Sequence, residues 1–139
     1  MKNKKTIIKR RIGVILTYLS LLIIDLVFEY CKIYQLTYVL GIIGIIAFVV
    51  FVTSFVTTYL KSGLWKFIHK PLKQLDEREI ILTSNSLRYA YSIFTIFVLV
   101  LLLVFAITEI YVDIVLVVSL ILFAHILPAS VIAWTEKNI

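Results

Sequence analysis

The chain has 139 residues, 62% of them hydrophobic and 16% charged, with a formal net charge of +6. A soluble domain keeps about a quarter of its residues charged, so a mean hydropathy of +1.06 excludes a water-facing globule and makes lipid the solvent for most of the surface. The basic residues are interleaved with long apolar runs that leave no free groove-binding surface, so nucleic-acid binding is the weaker reading and no nucleic-acid partner is expected.

A membrane-spanning helix needs about 20 mainly apolar residues, and four stretches qualify. The first is 12–34, IGVILTYLSLLIIDLVFEYCKIY. Basic residues before it imitate a signal peptide, but no small-x-small cleavage site follows Leu26, so the segment is expected to stay as a helix. The second is 36–60. The third has its apolar heart at 93–108 and is expected over 88–110. The fourth is 113–135. Links one–two and three–four are so short that each pair must form a tight antiparallel hairpin. The expected fold is therefore all-α: one polytopic membrane domain over 1–139, with four transmembrane helices arranged as two hairpins. Cys31 is the only cysteine, so no internal disulfide forms; a cross-link between two copies or a small residue at a helix end are its two readings.

Lys2, Lys4, Lys5, Lys9, Arg10 and Arg11 form one basic cluster, and Lys61, Lys66, Lys70, Lys73, Arg78 and Arg88 a second. The positive-inside rule places both in the cytoplasm, and with them both termini. Tyr30, Tyr34, Tyr38 and Tyr111 gather near the outer interface and Tyr59, Trp65, Tyr89 and Trp134 near the inner one, as amphipathic rings do at headgroup level.

The connection over 61–87 is charged. Leu64, Ile68, Leu72 and Leu75 recur near helical spacing, and 62–70 reads as a short basic amphipathic helix on the inner leaflet. Lys66, Lys70 and Lys73 would meet anionic headgroups, with Trp65 at the lipid interface; a docking surface for a partner is the alternative. Pro71 suits a first helical turn, and no glycine or proline follows between Leu72 and Thr108. A helix from Leu72 would carry Asp76, Glu77 and Glu79 in its early turns, where negative charge suits the dipole.

Within LDEREIILTSNSLRYAY, the residues Leu75, Asp76, Glu77, Arg78, Glu79, Arg88, Ala90 and Tyr91 resemble a stretch that recurs before a transmembrane helix in small bacterial four-helix membrane proteins of unassigned activity. The resemblance covers about an eighth of the chain. It implies membership of that family and location in the bacterial inner membrane, with no chemistry attached. Asp76, Glu77, Arg78, Glu79 and Arg88 are the candidate cytoplasmic interaction residues; for Arg88 the plainer role is snorkelling to the headgroups.

Two ionisable residues fall inside spans. Asp25 lies about 20 Å from the start of the first span, at 1.5 Å per residue. A charge at such depth costs about 2.5–3.5 kcal/mol, so it must take up a proton, pair with a polar group or face water. Glu29 is one turn on, on the same face. His125 in the fourth span is the best partner in depth, beside Pro128 and the small residues Ala129 and Ala133. Gly41, Gly44 and Ala47 make a small-residue line in the second span. Asp25 and His125 are either an ion relay, with Glu29 beside them and Glu109 and Asp113 as an acidic outer mouth, or polar glue between helices. No H-E-x-x-H, C-x-x-C, Walker or nucleophile-elbow motif occurs, so neither a metal nor a cofactor is expected and no enzyme activity. A non-enzymatic accessory or interaction protein, working as a homo-oligomer or beside a membrane partner, is the expected function; a small channel or proton-coupled transporter is the runner-up.

Overall fold

The computed structural model describes residues 2–34, 37–109 and 111–136, and the side chains of 2–4 and of Leu72 lie outside the described set. The expected start of the second span at residue 36 and the end of the third at residue 110 also fall outside it. The described residues form helices and turns: α1 (Lys2–Ile33), α2 (Tyr38–Phe55) continued by a π-helical turn (Val56–Leu60), α3 (Leu64–Ile68), a 3-10 turn (Leu72–Gln74), α4 (Glu77–Thr108) and α5 (Ile114–Thr135). Four segments are long and apolar enough to cross a membrane: Lys5–Ile33, Tyr38–Leu60, Glu77–Thr108 and Ile114–Thr135. The chain is thus an all-α, multi-pass membrane protein.

Two helices begin away from their expected positions. α1 starts ten residues before residue 12, at Lys2. Its first turn carries no acidic residue and several lysines, a charge pattern that opposes the dipole. Once the apolar span is helical, however, each added residue gains a hydrogen bond without a new nucleus, and nothing before Gly13 interrupts it. α4 starts not at Leu72 but at Glu77. Pro71 opens only a 3-10 turn, closed by Gln74 N–H donating to the Pro71 carbonyl at 2.9 Å, and Asp76 takes the N-cap with extended φ and ψ of −78° and 168°. Between α2 and α3 the chain turns at Gly63, whose φ of 79° is cheap only for glycine.

Contacts group these elements into a first unit running to Leu64 and a second unit, Trp65–Glu136. In the first, α1 packs along α2 and its π-turn. The facing positions are small: Gly13, Thr17 and Ser20 on α1, and Ala47, Ser54 and Thr58 on the second helix, all buried. Small side chains let backbones approach closely in a membrane, where apolar burial alone does not drive helices together. At Gly13 the approach is closest, because a Cβ there would overlap Thr58 Oγ1 and lie 3.1 Å from Thr58 Cβ. Higher up, Gly44 faces Val27 Cγ1 at an ordinary 3.5 Å, whereas Gly41 faces open space. In the second unit α4 packs along α5. Phe123 of α5 sits between Phe94 and Phe97 of α4, at centroid distances of 6.1 and 5.1 Å. α4 buries little apart from Thr83, Ser86 and Ala90, while α5 buries the run from Ile126 to Ala133 apart from half-buried Val131.

Gly13→Ala is expected to destabilise the first hairpin by about 1–3 kcal/mol, the usual cost of overpacking. Adding Thr58→Ala removes the overlapping oxygen and should recover part of the loss. Thermal unfolding in detergent followed by circular dichroism checks both; an unchanged midpoint for Gly13→Ala would mean the two helices do not meet there.

Candidate functional site

The polar side chains of the first unit are organised around hydroxyls. Thr17 Oγ1 lies 2.8 Å from the Gly13 carbonyl and 3.0 Å from Ser54 Oγ. Ser54 Oγ donates to the Phe51 carbonyl at 3.0 Å and Ser20 Oγ to that of Thr17 at 2.9 Å. The single Thr17 hydroxyl proton has two alternative acceptors, the Gly13 carbonyl and Ser54 Oγ, and ties α1 to α2 when it turns to Ser54. Around this pair, toward the basic end of α1, lies an open groove of about 560 Å³ that includes Lys9, Arg10, Gly13, Thr57, Thr58 and Ser62 in its lining. Arg10 is buried at 9% relative exposure and Lys9 is exposed. The π-turn forms one wall. Such turns insert an extra residue into a helix and occur often at functional sites.

Sequence reasoning passed over this groove because threonines and serines in an apolar span read as filler. A signal was present in Gly13-x-x-x-Thr17 on one span and Ser54-x-x-x-Thr58 on the next, two small-residue repeats at helical spacing.

The intramembrane candidates fall in different units, Asp25 and Glu29 in the first and His125 in the second. Asp25 is half-buried on α1. Glu29 pairs with Lys32 across one turn at 3.0 Å. His125 is exposed on α5, and its ring lies 6.3 Å from that of Trp65. The chain's other histidine, His69, stacks on the same indole at 4.4 Å and uses Nδ1 toward the Trp65 carbonyl at 2.9 Å. Both histidines of the chain thus converge on Trp65, a pairing that the distance along the sequence between His69 and His125 does not display. Pro128 withholds the N–H that would serve the Ala124 carbonyl, yet α5 continues through it to Thr135.

Glu109 and Asp113 shape the turn between α4 and α5. Glu109 is the left-handed C-cap of α4, at φ 56°, and its N–H donates to the Phe105 carbonyl. Asp113 is the N-cap of α5, its Oδ1 accepting from Leu116 N–H at 2.8 Å.

The acidic stretch before α4 is a helix-starting device. Asp76 Oδ1 accepts from Glu79 N–H at 2.6 Å, and Glu79 Oε2 accepts from Asp76 N–H at 3.3 Å. This reciprocal capping box satisfies two of the amide donors that a helix start leaves without partners. Glu79 Oε2 also takes Lys70 Nζ at 2.8 Å, clasping the Pro71 loop to the helix. Arg78 reaches Glu136, just past α5, at 3.6 Å, with 71% of its own side chain exposed. Screening by water leaves such a contact worth little. Glu77 and Arg88 are exposed, and Arg88 joins Asn85, Tyr89, Tyr91 and Ser92 around a second, shallower depression. Of the lipid-interface candidates, Lys66, Lys73 and Trp134 are exposed and Trp65 and Lys70 half-buried. α3 is short, spanning Leu64–Ile68 rather than 62–70, with Leu64 fully buried.

Among the described residues no three His, Cys, Asp or Glu side chains gather where one metal ion could be held. Comparison with protein-family models, with curated proteins and with solved structures finds no match to this chain.

Asp76→Ala should cost about 1 kcal/mol, the typical worth of an N-cap, and should fray the first turn of α4. Hydrogen exchange at the Glu79 and Ile80 amides is expected to accelerate, while exchange near Phe94 stays slow. Unchanged exchange at Glu79 would mean the cap carries no weight.

Proposed function

We propose that the chain is a small non-enzymatic accessory or interaction protein of the bacterial inner membrane, a member of the LDERE-bearing family described above. Four crossings favour both termini on one face, and the positive-inside reading of the basic clusters supports the cytoplasm as that face. Lys66, Lys73 and Trp65 then meet anionic headgroups at the inner leaflet. The protein works as a homo-oligomer or beside another membrane protein.

One observation carries this reading. The ionisable side chains with defined partners are spent on the chain's own architecture: Asp76 and Glu79 start α4, Asp113 starts α5, and Glu29 pairs with Lys32. What remains presented outward is the long apolar face of α4, together with Glu77 and Arg88 near its start. The face of α4 turned away from α5 is where a second copy or another membrane protein would pack in competition with lipid. A small channel or proton-coupled transporter is the second reading. It draws on Asp25, half-buried within an apolar span, and on the imidazole of His125 held beside Trp65.

Extraction straight from membranes into polymer nanodiscs should yield a particle heavier than one 16.0 kDa chain plus lipid. Glu77→Gln with Arg88→Gln should reduce it to the single chain, with helicity kept, because neither side chain caps a helix and no positive charge enters the first turn of α4. A wild-type particle holding one chain alone would remove the reading. In liposomes, wild type and Asp25→Asn should both leave proton and monovalent-cation flux at the protein-free level. Flux in the wild type that vanishes in Asp25→Asn would move the function to the second reading.

A further inference from the structure

The groove in the first unit has a polarity gradient along its length. On α1 its lining passes from Lys9 and Arg10 to Ile12 and Leu16. At 1.5 Å per residue this carries it about 10 Å from the charged end into the apolar part of the span. Ile12 and Leu16 stay 50% and 43% exposed, so the apolar stretch is open to an occupant. The level is that of the headgroups, because the basic run stops at Arg11 and the apolar span starts at Ile12.

The opposite wall is oxygen-rich in a particular sense. Thr57 Oγ1 donates to the Thr53 carbonyl at 2.8 Å, and Ser62 Oγ donates to the Thr58 carbonyl. With their protons committed, these hydroxyls offer lone pairs, although Ser62 Oγ already accepts the Leu64 N–H at 3.4 Å and keeps one free. They suit a ligand that brings its own hydroxyl donors, while the positive charge opposite suits a phosphate.

We propose that this groove holds one anionic glycerophospholipid with a hydroxyl-bearing headgroup, of the phosphatidylglycerol class. The phosphate lies at Lys9 and Arg10, a headgroup hydroxyl donates toward Ser62 at the same level, and one acyl chain follows Ile12 and Leu16 past Thr57. Lys66, Lys70 and Lys73 are not among the residues that line the groove. The site depends only on the chain crossing a membrane, not on which face its termini occupy or what the protein interacts with.

Three variants separate a built site from general attraction. Lys9→Gln removes an exposed charge. Thr53→Phe fills the groove from an exposed position without changing charge. Lys66→Gln with Lys73→Gln removes two charges elsewhere. The purified protein is titrated in a neutral detergent with fluorescent phosphatidylglycerol, with helicity checked for each variant. Wild type is expected to bind one lipid saturably. Lys9→Gln should weaken binding about fivefold, the worth of one lysine beside an anionic lipid. Thr53→Phe should abolish saturable binding, the Lys66/Lys73 pair should lower only the non-saturable uptake and leave the one-lipid phase in place, and phosphatidylcholine should not compete. Absence of saturable binding by the wild type would overturn the proposal. So would equal loss on removing Lys66 and Lys73, which would assign the affinity to the whole basic surface. Competition by inorganic phosphate or glycerol phosphate at concentrations comparable to the lipid's would assign the site to a free anion instead, and Thr53→Phe binding as well as wild type would place the lipid outside the groove.

Discussion

A hydrocarbon surrounding offers no hydrogen bonds, and every polar group placed in it must be satisfied from within the chain. The hydroxyl residues of this protein obey that constraint with one device. Thr17 bonds back to the carbonyl of Gly13, Thr83 to Glu79, Thr108 to Val104 and Ser130 to Ile126, each four residues earlier, at 2.8–3.0 Å. A hydroxyl satisfied in this way is cheap to keep in an apolar helix. Its side chain is also small, which is what the α1–α2 contact exploits. Satisfaction is local and the close approach is steric, so Thr17–Ser54 refines a contact whose shape is set by Gly13 and Thr58.

The same demand governs the helix ends. A spanning helix leaves amide donors at its start and carbonyls at its finish, and here the acidic side chains answer the donors. Asp76 with Glu79 does so for α4 and Asp113 for α5. Lys70 then ties the preceding loop to the same carboxylate that completes the α4 box. The densest acidic stretch of the chain is thereby accounted for largely by backbone chemistry, and its outward-facing member, Glu77, stands apart from those that build.

How much of this was legible in the sequence follows from what kind of force decides each feature. The four spans read directly, because about 20 apolar residues leave few other solutions, and the short links between paired spans imposed the hairpins. The start of α4 was misplaced at Leu72, since Pro71 gave a stronger local cue than the Asp76-x-x-Glu79 spacing that does cap the helix. Lys2 as the start of α1 was hidden because dipole and charge argue against a basic first turn, and helical propagation overrides them. The π-turn at Val56–Leu60 leaves no composition signature, and the groove beside it depends on a helix–helix approach that a linear reading does not measure. For His125, depth alone selected Asp25 as a partner; the aromatic neighbour Trp65 arrives through a loop whose path periodicity does not describe.

The division at Leu64 has a temporal meaning. Each unit is a hairpin whose partners are neighbours in sequence, so its contacts close over short loops and form fast. The second unit, of about 70 residues, takes about 4–14 s to be made at a synthesis rate of about 5–20 residues per second. For that interval α1 and α2 have only each other and the lipid. The Gly13–Thr58 approach and the groove beside it therefore belong to a nascent intermediate as much as to the finished protein, and the order of translation becomes the order of assembly.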